Sequence, residues 1–483
     1  MYESAQLTRR ELLEAGAAAS AVAALPGPAQ APNRPNLVLI VLDTVRADHV
    51  GSYGGRARTP SIDSLARRGI RFAKAYPEAM ATVPARRSIM LGRRVFPFRG
   101  WRRGADGMPG WEVPGWQGID DMDETFTNAL RAAGYWTAYV TDNPHIAHAR
   151  AFRNFRRSFD RYVRIAGQAG HAPRPARVSD AELRRWLPPD LYRDPELRVR
   201  VRNYLSHDHY WRDERRSFPA KVFGAATRVL EEGSLHQPFA LVVDSFEPHE
   251  PWTPPRRYID MYGRRRGAEP GSLPYAPVRT WLRDRRLIGR MRDVYAAEVT
   301  LTDRWLGTFL RRLRELGLTG STAIVLVSDH GLLIGEHGWT GKTAYALHPE
   351  LIHVPFLLVD PRGRAAGRTS SFFASTHDVG PTLLSLAGVR RPSGMDGFDL
   401  SPLFEGESPG RRDLAWGGYG NWFYARTGRW ALTGDNRLRR RRLYDLRRDP
   451  RERRNVARRH PRVVRGLTRA YVEQAGRRLP FYD

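Results

Sequence analysis

Asp43-Thr44, Thr141-Asp142-Asn143 and Asp329-His330 each follow an apolar run of strand length. Thr82 stands two residues before Pro84, which can open a helix, and His249 comes soon after the run that ends at Phe246. Carboxylates, imidazoles and hydroxyls of this kind can bind a charged ligand, move protons or attack an electrophile. Taken singly, an Asp, Asn or Thr after a strand is commonly a turn former or a helix cap. Together they are predicted to converge, because ligands of an open parallel sheet bind beyond the carboxyl ends of its strands.

The elements that would position them alternate. Leu37 to Leu42 is a continuous apolar run, as expected of a strand buried on both faces. Further strands are predicted over Ile70–Ala75, Trp136–Thr141, Phe239–Phe246, Ala323–Ser328 and Val354–Val359. Helices are predicted over 62–69, from Pro84, over 124–133, 220–232, 287–316 and 379–387. This alternation predicts an α/β fold with a doubly wound, mainly parallel sheet flanked by helices. Residues 142–218, rich in Arg, His, Pro and Trp, read as irregular. From about Leu414, short aromatic strands separated by glycines and a basic terminal helix predict a small C-terminal α+β subdomain. The expected organisation is a leader at 1–31, a catalytic α/β domain at 35–410 and the small subdomain at 411–483.

The 483-residue chain carries a formal net charge of +28, and only three of its basic residues are lysines, Lys74, Lys221 and Lys342. Its arginines are spread along the chain. The dense run from Arg437 to Arg442 lacks the interleaved aromatics or glycines of a nucleic-acid platform, so no nucleic-acid partner is expected. Apolar residues make up 41%, enough for a large core and too many for a disordered polybasic chain. There is no cysteine, which excludes disulfides, thiolate metal sites and a cysteine nucleophile. Arg9-Arg10, the weakly apolar Ala15–Leu25 run and Ala29-Gln30-Ala31 form a twin-arginine export pattern with a small-x-small cleavage site. The mature chain is expected outside the cytoplasm with no integral membrane segment.

PNLVLIVLDTVRADHVGSYG at 35–54, TPSIDSLARRGIRFAKAY at 59–76, TVPARRSIMLGRR at 82–94, EPHEPWTPP at 247–255, SDHGLLIGEHG at 328–338 and LYDLRRDPRERRNVA at 443–457 together resemble the sulfatase family of the alkaline phosphatase superfamily. The resemblance implies an α/β core with a smaller C-terminal subdomain. It also implies a divalent metal, calcium, manganese or zinc, held by Asp43, Asp329 and His330 with Thr82 completing the site. Thr44 stands where many sulfatases carry a second Asp. The family's Cys/Ser-x-Pro-x-Arg signature reads Thr82-Val83-Pro84-Ala85-Arg86, which puts threonine at the position oxidised to formylglycine. Oxidised threonine would be a ketone that hydrates poorly, so no formylglycine is expected, and Thr82 itself becomes the candidate nucleophile.

By the same resemblance, Arg86 would clamp a non-bridging oxygen beside the positive end of its helix. Lys342 matches the family's lysine, and His249 its leaving-group histidine, a candidate general acid. Where sulfatases typically read Gly-Lys-Trp-His, this chain has Asp142 and His145, candidate substrate-binding residues. Asp142 either pairs with an arginine or, with His145, helps hold a second metal. Glu336, His337 and His377 are weaker candidates. The expected activity is hydrolysis of a small or glycan-linked sulfate or phosphate ester by in-line attack of Thr82. The alternatives are a phosphodiesterase or phosphoryl transferase of the same superfamily, and a non-catalytic anion- or glycan-binding homologue.

Overall fold

The computed structural model describes residues 34–103, 113–119, 124–148, 150–170, 178–187, 192–207, 213–263 and 285–482. The expected leader lies outside them. Residues from Pro35 onward form one compact unit. The strands are β1 (Asn36–Leu42), β2 (Ile70–Ala75), β3 (Ala79–Met80), β4 (Trp136–Thr141), β5 (Arg161–Arg164), β6 (Phe239–Ser245), β7 (Thr322–Ser328), β8 (Leu333–Ile334), β9 (Thr340–Gly341), β10 (Phe356–Val359), β11 (Thr369–Ala374), β12 (Ala415–Tyr419), β13 (Trp422–Arg426), β14 (Trp430–Asp435) and β15 (Arg442–Asp445).

Eight of them build the main sheet in the order β11-β2-β10-β7-β1-β6-β4-β5. All its pairings are parallel except those of β10, which runs antiparallel to both β2 and β7. The apolar run of β1 is explained by two cores. Leu37, Leu39 and Val41 enter one, and Val38, Ile40 and Leu42 enter the other, because successive side chains of a strand face opposite ways. β7 divides likewise, with Ala323, Val325 and Val327 on the first side and Ile324 and Leu326 on the second. The second side is covered by the helices Phe218–Gly233 and Arg285–Glu315, which bury Val222, Phe223, Val229, Leu306, Phe309 and Leu313 there. Ser217 caps the first of these, its side chain accepting from Ala220 N.

The expected strands are present, with small shifts at their ends. β10 begins at Phe356 rather than Val354, and the stretch read as irregular contains β5 and the helices Asp180–Trp186 and Pro195–His207. β5 is an edge strand with no buried residue, so it carries no apolar run to read. The C-terminal strands form a second sheet, β15-β14-β13-β12-β3, an antiparallel meander to which β3 adds in parallel. β3 immediately precedes Thr82 and ties this sheet to the site. The approach is close: a Cβ on Gly417 would lie 2.3 Å from Glu78 O, so glycine is required there.

Candidate active site

In the β1–β7 pairing Leu42 lies opposite Ser328, so the next residues, Asp43 and Asp329, leave the sheet side by side. Both are fully buried. Local backbone bonds hold Asp329: its Oδ1 accepts from Thr44 N at 3.0 Å and from His330 N at 2.7 Å. Thr44 sits at φ +60°. Its carbonyl accepts from the Tyr295 hydroxyl at 2.6 Å, which fixes this left-handed turn from the long helix Arg285–Glu315.

His330 Nδ1 donates to Gly331 O at 2.8 Å, so the neutral ring presents the lone pair of Nε2. That nitrogen lies 3.4 Å from Asp329 Oδ2 and 3.9 Å from Asp43 Oδ1. Burial, partly opposed by Asp329, holds His330 below its ordinary value, which favours the neutral ring. Asp43 Oδ1 and His330 Nε2 have no hydrogen-bond partner among the described residues, while Asp43 Oδ2 is ion-paired with Arg86 at 2.9 Å. Arg86 brings one positive charge to the two carboxylates, and one carboxylate oxygen from each Asp plus an imidazole nitrogen is a donor set that suits a divalent metal as well. The three ligand atoms lie within 4.8 Å of one another. Burial, reinforced by Asp329 and opposed by Arg86, pushes Asp43 well above the usual carboxylate range. Burial would also raise Asp329, but His330 and Arg86 outweigh it and hold that carboxyl low.

Thr82 opens the helix Thr82–Leu91 and is buried. One turn on, Arg86 turns back toward the sheet. Its Nη1 is hydrogen-bonded to Asp329 Oδ2 and lies 2.9 Å from Asp43 Oδ2, while Nη2 donates to Asp244 Oδ1 at 2.7 Å. The same Nη1 is 3.4 Å from Thr82 O, which brings the Thr82 backbone to the carboxylates. Arg86, expected beside a substrate oxygen, also serves three carboxylates. Asp244, whose other oxygen accepts from the Tyr139 hydroxyl at 2.8 Å, was missed. Its signal was available, since an acid inside the buried strand FALVVDS needs a partner.

A second group faces the site, His249 and Glu250 from the loop after β6 and Lys342 from the end of β9. Lys342 Nζ lies 3.0 Å from His249 Nε2 and donates to Glu250 Oε1 at 2.8 Å. His249 Nδ1 donates to Glu250 O at 2.6 Å, and its ring stacks on Phe246 with centroids 4.0 Å apart. Burial first, and Lys342 second, keep His249 well below the ordinary histidine value. Its Nε2 therefore accepts from Lys342. Glu250, also missed by the sequence reading, is buried beneath both.

Asp142 is held by an amide side chain and a backbone N–H. Its oxygens accept from Phe246 N at 2.7 Å and Gln168 Nε2 at 3.1 Å, and Gln168 also bonds Glu247 Oε1 at 2.8 Å. No arginine pairs with it among the described residues. Burial, opposed by the Phe246 N–H and reinforced by Asp244, pushes Asp142 up to about 7. His145 lies edge-on to Trp116 at 4.9 Å and to Phe246 at 5.9 Å, forming an aromatic wall with the His249 stack. The weaker candidates are engaged elsewhere: Glu336 with Arg46 and Arg292, His337 with Glu350 and the His348 ring, and His377 with Arg412.

Comparison with known proteins accords with this arrangement. The sulfatase family model matches residues 35–389. The chain belongs to the sulfatase family. A model described as N-sulphoglucosamine sulphohydrolase, C-terminal, matches residues 335–469 and spans the small sheet. Among sulfatase relatives, an arylsulfatase of Clostridium perfringens is 25% identical over 80% of this chain and 81% of its own. A multifunctional alkaline phosphatase superfamily protein of Trinickia caryophylli is 26% identical over 77% of this chain and 78% of its own. The phosphonate monoester hydrolase of Agrobacterium radiobacter has the same fold, with a TM-score of 0.69 and 22% identity over 92% of this chain and 96% of that one. This sulfatase-family chain is accordingly a hydrolase of sulfate or phosphate esters.

Proposed function

We propose that this sulfatase-family chain is an exported, metal-dependent hydrolase that cleaves a sulfate, phosphate or phosphonate ester by direct attack of Thr82. The observation that carries the reading is the buried cluster of Asp43, Asp329 and His330, in which Asp43 Oδ1 and His330 Nε2 have no hydrogen-bond partner among the described residues, beside the start of the Thr82 helix. A divalent cation held by Asp43, Asp329, His330 and Thr82 would supply charge neutralisation and make the threonine hydroxyl acidic enough to attack.

The chain's own residues define the rest. Arg86 holds Asp43 and Asp329 in place, and Asp244 and Tyr139 fix Arg86. Thr82 loses its hydroxyl proton to water and its Oγ bonds to phosphorus or sulfur as the ester oxygen departs in line. Lys342 gives that oxygen its proton, steadied by Glu250 and His249. A water molecule then attacks the phosphorus or sulfur, breaking its bond to Thr82 Oγ, so that the transferred group leaves as its free anion and the threonine hydroxyl is restored. Threonine offers no aldehyde whose re-formation could expel sulfate, and this favours phosphorus over sulfur. The relatives include an arylsulfatase and a multifunctional alkaline phosphatase superfamily protein, so both kinds of ester stay within the reading.

Export rests on the twin-arginine pattern at 9–10, and no helix among the described residues is long and apolar enough to cross a membrane. Elemental analysis of the purified protein, with turnover assays on aryl sulfate, phosphate monoester, phosphodiester and phosphonate ester, tests the reading. A stoichiometric divalent metal with phosphoester turnover is expected. Absence of turnover on all four would leave an anion- or glycan-binding homologue.

A further inference from the structure

Residues 437–469 hold fifteen arginines and no lysine, against three acids, Asp445, Asp449 and Glu452. Two of those acids point inward: Glu452 binds Arg426 and His348, and Asp445 binds Arg429. Of the fifteen arginines, all but Arg441 are exposed. Leaving Arg437 aside, none of them forms an ion pair among the described residues. The density is local: this stretch carries a charge of +12, nearly half of the chain's +28, in 33 of 483 residues.

The fold gathers the run onto one surface. Arg437, Arg439, Arg440 and Arg441 lie on the turn between β14 and β15. The loop after β15 is tied back to that strand by Val456 N donating to Leu443 O at 2.8 Å. The helix Pro461–Ala475 buries Val464, Thr468, Tyr471 and Ala475, with Tyr471 stacked on Phe423 at 4.0 Å, and presents Arg462, Arg465 and Arg469 at helical spacing on its outer side. Arg441 Nη1 reaches Thr468 Oγ1 at 3.4 Å and joins the turn to the helix. β15 is the edge strand farthest from β3, four strand spacings or about 19 Å from the segment that leads into Thr82. An ester small enough to sit at Thr82 does not span that distance; a chain does.

We propose that this arginine face is a docking surface for a linear sulfated polysaccharide. Arginine forks match the oxygens of sulfate groups with paired hydrogen bonds. Exposed aromatics that would stack on single-stranded bases are absent from the stretch. The apolar face of the helix is already covered by the sheet, which leaves no wedge for a lipid surface. The choice of a sulfated glycan rests on the sulfate-ester form of the hydrolase reading, since a sulfated chain bound here can present a sulfate ester to the site.

The test is binding of the full chain to heparin and dextran sulfate, with neutral dextran, duplex DNA and anionic lipid vesicles as comparators, at about 0.15 M salt. Two triple variants lower the charge equally: Arg462→Gln, Arg465→Gln, Arg469→Gln on the face, and Arg311→Gln, Arg314→Gln, Arg362→Gln away from it. Tight, salt-sensitive binding to the sulfated glycans is expected, weakened about tenfold or more by the first triple and about twofold or less by the second, with turnover of a small aryl ester unchanged in both. Equal losses from both triples would show that net charge alone is responsible and overturn the site. Tighter binding of duplex DNA or vesicles than of the glycans would overturn the partner. Glycan binding without turnover of any ester would leave the surface standing and remove the hydrolase reading; turnover without glycan binding would do the reverse.

Discussion

Arg86 and Asp244 form a fully buried pair in which Nη2 and Nε both reach Asp244 Oδ1, at 2.7 and 3.2 Å, while Nη1 is left to Asp43 and Asp329. Asp244 thereby sets the orientation of the guanidinium that holds the two proposed metal carboxylates. Asp244→Asn should lower stability by about 3 kcal/mol or more, because it leaves a buried charge with a weaker partner. Urea unfolding measures this, and a change below about 0.5 kcal/mol would show that Arg86 does not depend on Asp244.

Metal retention should depend on Asp43 and Asp329 individually. Asp43→Ala and Asp329→Ala should each yield folded protein, less stable than wild type, from which the metal is lost on dialysis together with turnover. Elemental analysis and circular dichroism check both halves. Full activity of metal-free wild type would contradict the assignment.

If Lys342 supplies the leaving-group proton, its loss should matter most for substrates that need one. Lys342→Ala should slow alkyl esters by about two to four orders of magnitude and esters of acidic phenols far less. Glu250→Gln should show the same pattern with smaller losses. Rates measured across leaving groups of graded acidity test this; an equal loss on every substrate would point to a structural role.

Asp142 titrates near 7 in the folded chain and near 4 when unfolded. Between those values the folded state holds a proton that the unfolded state has lost, so stability falls as pH rises from about 4 to about 7 and then levels. Asp142→Asn removes this dependence. Relative to wild type, the variant should gain up to about 4 kcal/mol across that window, read from unfolding curves at a series of pH values. A difference that does not vary with pH would contradict the shift.

The parts of this arrangement legible in sequence were those with a local signature. β1, β2 and β4 were readable because burial leaves an uninterrupted apolar or alternating run, and Asp43, Thr82, Asp329 and His330 because each sits at a strand end or helix start. β5 was not, since an exposed edge strand needs no apolar pattern. The contacts that position the site were equally hidden. Arg86 and Asp244 are 158 residues apart, Lys342 and Glu250 are 92 apart, and Gln168 reaches Asp142 from inside a stretch that reads as irregular. Such partners are chosen by the sheet order, which the alternation of elements does not specify.

The central claim is that Thr82 Oγ becomes bonded to the transferred group. Thr82→Ser keeps the hydroxyl and should retain activity within about one to two orders of magnitude, whereas Thr82→Ala should lose far more. The most direct measurement is peptide mass spectrometry of wild-type protein quenched in acid during turnover of its best substrate. The account predicts a fraction of the Thr82 peptide carrying one added phosphoryl or sulfuryl group, located on Thr82 and absent from Thr82→Ala. An unmodified Thr82 peptide throughout turnover, with Thr82→Ala as active as wild type, would contradict it and make water the attacking group.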